Sequence, residues 1–295
     1  MHIALVTCQS LAQYAAPTVD DEDALLLRYL RDKGHVVTAE IWSDPAVDWL
    51  AYDRVVLKSP WDYFDRVQEF YTWLDQLETS GVPLLNPVAR VRWNSDKKYL
   101  AEIEQAGARI VPTHWLTRGA RVEPDELFAA LGTDHLIVKP AISGGAKNTF
   151  ALTRAEAQSA IERLQPLLYE EDFLAQPFLS QIQTAGEWSF IYLGGQFSHC
   201  VLKTPKSGDF RVQHYLGGNI EPRTAPAHLL ITADQLVAKF APDCLYARVD
   251  GVEVQGELLL MELELIEPFL YLASAEGALA RYEEALQRAM AGNAK

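Results

Sequence analysis

Apolar runs and amphipathic stretches alternate along the first third of the chain. Short apolar runs predict buried strands at residues 3–6, 36–41, 54–57 and 83–85. Apolar positions at helical spacing predict helices at residues 20–33, with Gly34 as a stop signal, and at residues 67–77. Strands that alternate with helices are typical of a doubly wound parallel sheet. We therefore expect an N-terminal α/β domain over residues 1–95.

The pattern becomes mixed after this domain. Helices are predicted at residues 97–105, 123–131 and 154–164, and strands near Ile110, near Trp115, at 136–140 and at 172–176. Residues 187–265 mostly alternate between apolar and polar, with turns at 194–195 and 255–256, and a last helix is predicted at 276–290. This order predicts two α+β lobes, a central one over residues 96–184 and a C-terminal one over residues 185–295.

The strongest chemical signal lies in the last predicted strand, residues 258–265 (LLLMELEL). Apolar residues occupy positions 259, 261, 263 and 265. Because side chains alternate along a strand, Glu262 and Glu264 are expected to share the opposite face.

The strand before it places Arg248 and Asp250 on one face. With a three-residue loop at 255–257, Asp250 lies opposite Glu262 and Arg248 lies opposite Glu264. Carboxylates this close repel each other unless a cation lies among them. A donor set made only of oxygen favours Mg²⁺ or Mn²⁺. The alternative is the solvated face of an edge sheet, and the spacing alone leaves both open.

Composition narrows the class of protein. The 295 residues include 40 Asp and Glu against 26 Lys and Arg, which gives a net charge of −14, and 49% are apolar. A charge this negative disfavours nucleic acids and anionic membranes as partners. No apolar run approaches the length of a membrane span, and the three scattered cysteines favour neither disulfides nor a thiolate zinc site. We expect a cytoplasmic protein.

Isolated positive charges suggest contacts with phosphate. Lys139 ends an apolar strand, where its ammonium group needs either an anion or a route to water. The loop at 143–148 offers glycines, backbone donors and a lysine, but it lacks the spacing of a P-loop. Lys97 follows Asn94-Ser-Asp96, a segment that is also typical of a simple helix N-cap.

Two further segments are candidates for binding. Residues 176–179 (QPFL) end a strand and could hold a flat ring, with a domain hinge as the alternative. Trp61, Asp62 and Tyr63 follow the third strand, at the carboxyl end of a parallel sheet where substrate sites form. The alternative for this second segment is an aromatic loop packed under the neighbouring lobe.

Taken in order, these segments resemble the ATP-grasp superfamily over nearly the whole chain, on the side of glutathione synthetase, RimK and D-alanine–D-alanine ligase. The resemblance is strongest to the bacterial subgroup that includes the D-cycloserine cyclo-ligase. The segments that carry it are 59–63 (SPWDY), 93–100 (WNSDKKYL), 111–115 (VPTHW) and 262–268 (ELELIEP).

The resemblance implies a nucleotide site and a substrate site. Its ATP-binding residues would be Lys97, Lys139, Ser143, Gly144, Gly145, Gln176, Phe178, Leu179 and Glu187. Its catalytic and substrate-binding residues would be Arg248, Arg211, Lys203, Gly217 and Gly218, and its magnesium ligands Asp250, Glu262 and Glu264, with Mn²⁺ as an alternative ion. At the position of Glu264 the family usually has Asn, so which metal ion is preferred stays open. At the position of Lys203 the glutathione synthetase pattern has Arg, so how the substrate anion is held stays open.

The implied function is an ADP-forming carboxylate–amine ligase that acts through an acyl phosphate on a small amino-acid-like substrate. An intramolecular cyclo-ligase of the D-cycloserine-forming type is the alternative within the class. A nucleotide-binding protein without turnover is the alternative from another class. The sequence names neither the substrate nor the oligomeric state, and a homodimer is compatible with it.

Overall fold

The computed structural model describes residues 2–9, 21–206 and 218–292. Its N-terminal sheet is parallel throughout, in the order β2-β1-β3-β4. The strands are β1 (His2–Thr7), β2 (Val36–Ile41), β3 (Arg54–Ser59) and β4 (Leu84–Leu85). The helices of this part are α1 (Glu22–Asp32), α2 (Val67–Ser80) and α3 (Val88–Ser95).

Alternation along β1 explains why helices cover both faces of this sheet. Ile3 and Leu5 pack in the cluster that contains Leu26 of α1, whereas Ala4 and Val6 pack in the cluster that contains Phe70 of α2. The prediction of a doubly wound parallel sheet is confirmed. The helix α3 was not predicted.

The central sheet is antiparallel, in the order β5-β8-β6-β7. Its strands are β5 (His114–Leu116), β6 (His135–Pro140), β7 (Phe150–Thr153) and β8 (Phe173–Pro177). The helices of this region are α4 (Tyr99–Gln105), α5 (Pro124–Leu131), α6 (Ala157–Leu168) and α7 (Gln181–Thr184). The strand predicted near Ile110 is wrong, because this residue forms only an isolated bridge with Leu260. The sequence prediction missed β7 and α7.

The C-terminal sheet is antiparallel, in the order β11-β10-β9-β12-β13. Its strands are β9 (Glu187–Leu193), β10 (Gln196–Thr204), β11 (Asn219–Arg223), β12 (Tyr246–Val254) and β13 (Glu257–Glu264). The helices are α8 (Ala227–Phe240), which was not predicted, and α9 (Ala278–Gly292). No helix among the described residues is long and apolar enough to cross a membrane.

The β12–β13 hairpin confirms the predicted pairs but corrects the loop. Arg248 pairs with Glu264 and Asp250 with Glu262. The turn has two residues, Gln255 and Gly256, and not three. Both have positive φ angles, 55° and 79°, as a tight hairpin turn of the primed type requires.

A β-bulge compensates for the shorter turn. The register shifts where Gly251 pairs with Leu260 while Asp250 pairs with Glu262, so Met261 is the extra residue. The sequence predicted that residues 259, 261, 263 and 265 share one apolar face. This prediction is wrong for residues 259 and 261, because the bulge changes the alternation. Leu263 and Leu265 pack with Leu258 and Leu260, whereas Leu259 and Met261 belong to a different cluster.

Buried polar groups tie the N-terminal sheet to the C-terminal part. Lys58 is 1% exposed and lies 2.9 Å from Glu22 Oε1 and 3.3 Å from Asp23 Oδ1. The same Glu22 carboxylate accepts hydrogen bonds of 2.8 Å from the backbone N–H groups of Leu270 and Leu272. Charged groups this deeply buried require partners, so the segment after β13 is fixed to the first domain.

Candidate active site

A cavity of about 320 Å³ is lined by residues from the N-terminal domain and from both antiparallel sheets. Among the residues predicted for the site, those that line it are Trp61, Tyr63, Lys97, Lys139, Ser143, Gly144, Gly145, Gln176, Phe178, Leu179, Glu187, Lys203, Arg248, Asp250, Glu262 and Glu264. Concave, partly apolar cavities with a few converging charges are typical ligand sites. The site residues that were predicted from strand alternation and from the motifs thus lie together in the structure, although they are far apart in the sequence.

Two predicted residues lie outside the part of the chain that the structure describes, and two described ones do not line this cavity. Arg211 and Gly217 lie outside the described residues, and Gly218, the first residue after that gap, is absent from the lining. Asp62 is corrected: its carboxylate is buried in the first domain, where it accepts a 2.6 Å hydrogen bond from Trp42 Nε1. It serves the packing of that domain.

Asp250 is the most heavily bonded acid on the hairpin. Arg248 donates to both of its oxygens, from Nε at 3.0 Å and from Nη2 at 2.8 Å. Ser189 Oγ donates at 2.5 Å, and Lys203 Nζ lies at 3.3 Å. Burial alone would raise the pKa of Asp250, but Arg248 and Lys203 outweigh burial and hold it well below its usual value. Asp250 is therefore an anion that fixes two cations.

The two glutamates of β13 differ in their partners. Glu262 accepts a 2.7 Å bond from Lys139 of β6, a contact that spans the two antiparallel sheets. Although burial opposes it, Lys139 lowers the pKa of Glu262 to about 2. Glu264 accepts a 2.5 Å bond from Arg248. Burial, followed by repulsion from Asp250, raises the pKa of Glu264 to about 7 in spite of that arginine.

Lys203 and Glu187 form a second buried ion pair beside Asp250. Both side chains are less than a tenth exposed. Burial raises the pKa of Glu187, and the pKa of Lys203 is raised by Asp250 and Glu187 against the opposing effect of burial. The acid that the resemblance assigned to ribose is thus engaged by a lysine at the cavity wall.

The glycine-bearing loop lies between the central sheet and the first domain. Lys97 Nζ donates to the Ser143 carbonyl at 2.6 Å, and the Lys97 N–H donates to the Ala141 carbonyl at 2.9 Å. A Cβ placed on Gly144 would lie 2.6 Å from the ring of Phe64, so only glycine allows this close approach. Lys97 and the loop therefore share one wall of the cavity.

The strand end predicted to hold a ring packs as part of the central sheet. Gln176 Nε2 donates to Thr113 Oγ1 at 3.0 Å, and the Phe178 N–H donates to the His135 carbonyl at 2.9 Å. The rings of Phe178 and His135 stack with their centroids 4.0 Å apart. This segment is a fixed edge of the cavity.

The role of Asn94 was missed. The sequence suggested a helix N-cap for residues 94–96, but Asn94 lies in α3 and bonds the outer edge of β13. Its Nδ2 donates to the Leu263 carbonyl at 2.6 Å, and its Oδ1 accepts from the Leu265 N–H at 2.8 Å. These two bonds hold the backbone on either side of Glu264.

Glu267 was also not predicted as a site residue, although it lies in the quoted 262–268 segment. It lines the cavity next to the glycine-bearing loop. Burial, followed by repulsion from Glu264, raises its pKa to about 8. The signal available in the sequence was a third acid at the end of an acidic strand.

The predicted metal ligands line the cavity, but they do not form a ready-made cage. Within the described ranges, no group of three or more His, Cys, Asp or Glu residues is arranged to hold a metal ion. Both carboxylate oxygens of Asp250 are already engaged by Arg248, Lys203 and Ser189. The metal assignment stays a prediction.

Comparisons with known proteins agree with this architecture. Residues 3–86 match the family model of the N-terminal domain of D-cycloserine synthetase DcsG. The chain is 28% identical over 285 residues to the cycloserine biosynthesis protein DcsG of Streptomyces lavendulae, a match that covers 91% of this chain and 93% of that protein. The crystal structure of D-cycloserine synthetase DcsG superposes with a TM-score of 0.83 at 26% identity, over 98% of this chain and 100% of that one.

The fold extends to more distant ligases. D-Alanine–D-alanine ligase from Bacillus anthracis superposes with a TM-score of 0.67 at 16% identity, over 99% of both chains. This likeness confirms the expected fold, and the DcsG matches confirm the expected subgroup. The chain therefore shares the fold of ATP-grasp ligases and is similar to D-cycloserine synthetase DcsG over nearly its whole length.

Proposed function

We propose that this ligase activates the carboxylate of a small amino-acid-like substrate as an acyl phosphate and then closes a C–N bond within the same molecule. The supporting observation is that Lys97, Lys139, Lys203 and Arg248 line one cavity together with the glycine-bearing loop. Four cations in one cavity of an acidic protein fit the phosphates of one nucleotide. The resemblance to a cycloserine-forming protein favours ring closure over ligation of two molecules.

In the first step a substrate carboxylate oxygen attacks the γ-phosphorus of ATP, a P–O bond breaks, and ADP leaves. The ammonium group of Lys139 and the guanidinium of Arg248 would stabilise the charge on the transferred group from within the cavity. In the second step a nitrogen of the substrate attacks the carbonyl carbon, phosphate leaves, and the nitrogen loses a proton. Asp250 keeps Arg248 and Lys203 in place throughout, because it bonds to both.

Glu262 and Glu264 are the donors that fit a magnesium ion best. They share one face of β13, their side chains are 27% and 25% exposed, and both line the cavity. Oxygen donors of this kind suit Mg²⁺, and Mn²⁺ is the alternative. When bound, the ion would supply charge neutralisation for the phosphates.

The nucleotide would lie between the loop that contains Ser143, Gly144 and Gly145 and the edge formed by Gln176, Phe178 and Leu179. This placement follows from the resemblance and from the position of both segments on the cavity wall. Trp61 and Tyr63, from the first domain, would complete the substrate end. The three-domain division at residues 95 and 184 remains our proposal for the chain.

Release of orthophosphate from ATP in the presence of Mg²⁺ tests the proposal. The panel holds D- and L-amino acids, alone and in pairs, and O-ureido-D-serine, which carries a carboxylate and a nitrogen nucleophile in one molecule. We expect stimulation by a single compound of the second kind, a cyclic product by mass spectrometry, and a hydroxamate when hydroxylamine is added. ATP binding without ADP formation for every compound would instead identify a nucleotide-binding protein without turnover.

A further inference from the structure

Glu267 differs from the other acids of the cavity. Glu187, Asp250, Glu262 and Glu264 each lie within ion-pair distance of a lysine or arginine. Among the described residues, no cation lies within ion-pair distance of the Glu267 carboxylate. Burial, followed by repulsion from Glu264, outweighs the more distant attraction of Lys97 and Arg248, so its pKa is raised. A carboxylate that faces a cavity without a cation of its own is a candidate to receive one from a ligand.

The surroundings of this carboxylate are aromatic and closely packed. Glu267 Oε1 lies 3.5 Å from the position that a Cβ on Gly144 would take, and the Phe64 ring lies on the same side of that glycine. The indole Nε1 of Trp61 donates to the Glu267 carbonyl at 3.1 Å. The lysine of the loop, Lys147, is paired with Asp65, and its Nζ lies over the Phe64 ring at 5.8 Å from the centroid, so this ring already attracts a cation.

This arrangement selects for a cation. A carboxylate with aromatic rings nearby attracts an ammonium group through ion pairing, and a ring adds cation–π attraction. Phosphate and carboxylate groups gain no such contact from Glu267 and are drawn instead to Lys139 and Arg248. The cavity thus offers separate partners to the two charged groups of an amino acid.

We propose that Glu267, walled by Phe64 and Trp61, binds the ammonium group of an amino-acid substrate and so turns the substrate carboxylate toward Lys139 and Arg248. This specificity-determining role rests on the proposed function, because it assumes a substrate with both groups. Burial keeps the empty Glu267 carboxyl largely protonated near neutral pH. An arriving ammonium favours the ionised form, so binding releases a proton.

Calorimetry with the full chain, Mg²⁺ and a non-hydrolysable ATP analogue tests the proposal. The probes are D-serine and D-glycerate, which differ only in the amino group. We expect the wild type to bind D-serine about tenfold or more tighter than D-glycerate, and Glu267→Gln to lose that preference. The heat for D-serine should change with the ionisation enthalpy of the buffer in the wild type and not in the variant.

Two further variants make the result decisive. Glu170→Gln changes an exposed glutamate outside the cavity and should keep the wild-type preference. Phe64→Leu removes one aromatic wall and should weaken D-serine binding several-fold more than D-glycerate binding, which provides a test even if Glu267→Gln does not fold.

A wild type that binds the probes alike, or not at all, overturns the proposal, and so does a preference that survives in Glu267→Gln. This measurement needs no turnover. If the wild type prefers the amino group but forms no ADP, the ammonium site is supported and the ligase proposal is refuted. If ADP forms but Glu267→Gln keeps the wild-type preference, the ligase proposal is supported and the ammonium site is refuted.

Discussion

Asn94 offers the sharpest test of how the fold positions the reactive strand. In Asn94→Leu the side chain keeps a similar volume but can no longer bond to the edge of β13. The Leu263 carbonyl and the Leu265 N–H, now bonded at 2.6 Å and 2.8 Å, are left without this partner in a buried place. Each orphaned group costs about 1–3 kcal/mol, so the expected loss in free energy of unfolding is about 2–6 kcal/mol.

Urea denaturation followed by tryptophan fluorescence measures this loss. The midpoint should fall while the slope stays unchanged, because the surface exposed on unfolding is the same. Asn219→Leu is the matched control, since Asn219 is exposed on β11, and it should change the free energy of unfolding by less than about 0.5 kcal/mol.

Turnover provides a second measurement on the same variant. Glu264 lies between the two bonded backbone groups, so a displaced strand edge should lower kcat about tenfold or more at saturating ATP. A loss of stability below about 1 kcal/mol would show that β13 holds its edge without Asn94. Normal kcat with the full loss of stability would show that the edge bonds do not position Glu264.

Three other changes have defined outcomes. Glu262→Gln should lower kcat at least about a hundredfold with an unchanged circular dichroism spectrum, and wild-type turnover would contradict its proposed role. Lys58→Met should cost about 3–5 kcal/mol in urea denaturation, because it strands the buried Glu22 carboxylate, and adding Glu22→Gln should restore part of the loss. Glu267→Gln should raise the melting temperature above that of the wild type by a margin that grows from pH 5 to about pH 8 and then levels off.

The sign of the pH effect follows from the raised pKa of Glu267. The unfolded chain loses this proton near pH 4.5 and the folded chain near pH 8, so each step of pH between these values disfavours the folded wild type. Glutamine cannot titrate and escapes this cost. A margin that stays constant or shrinks as pH rises would show that the pKa of Glu267 is not raised in the folded protein.

The sequence predicted what depends on local periodicity. The N-terminal parallel sheet follows from apolar strands and amphipathic helices, and the facing of Asp250 and Glu262 follows from alternation along two strands. Helix α8 at residues 227–240 was not predicted from periodicity, because its dense apolar positions were not distinguished from those of the neighbouring strands.

Long-range partners could not be predicted from the sequence. Asn94 bonds to residues 169 and 171 positions later, and no local pattern records such a contact. Glu267 differs from the neighbouring acids because no cation lies within ion-pair distance of it among the described residues. This difference depends on how the cavity is packed and is not visible in the sequence. For the same reason, the motif resemblance marked the 262–268 segment without assigning a role to its last acid.

Because of the bulge at Met261, the pairing of the site residues does not depend on the length of the hairpin turn. A two-residue turn with the bulge and a three-residue loop without it give the same pairing of Asp250 with Glu262. A Cβ on Gly251 would lie 2.8 Å from the Leu259 carbonyl, so this glycine keeps the bulged form accessible. We expect the hairpin tip to tolerate insertion of one residue beside Gln255, with the bulge absorbing the change and the acids keeping their partners.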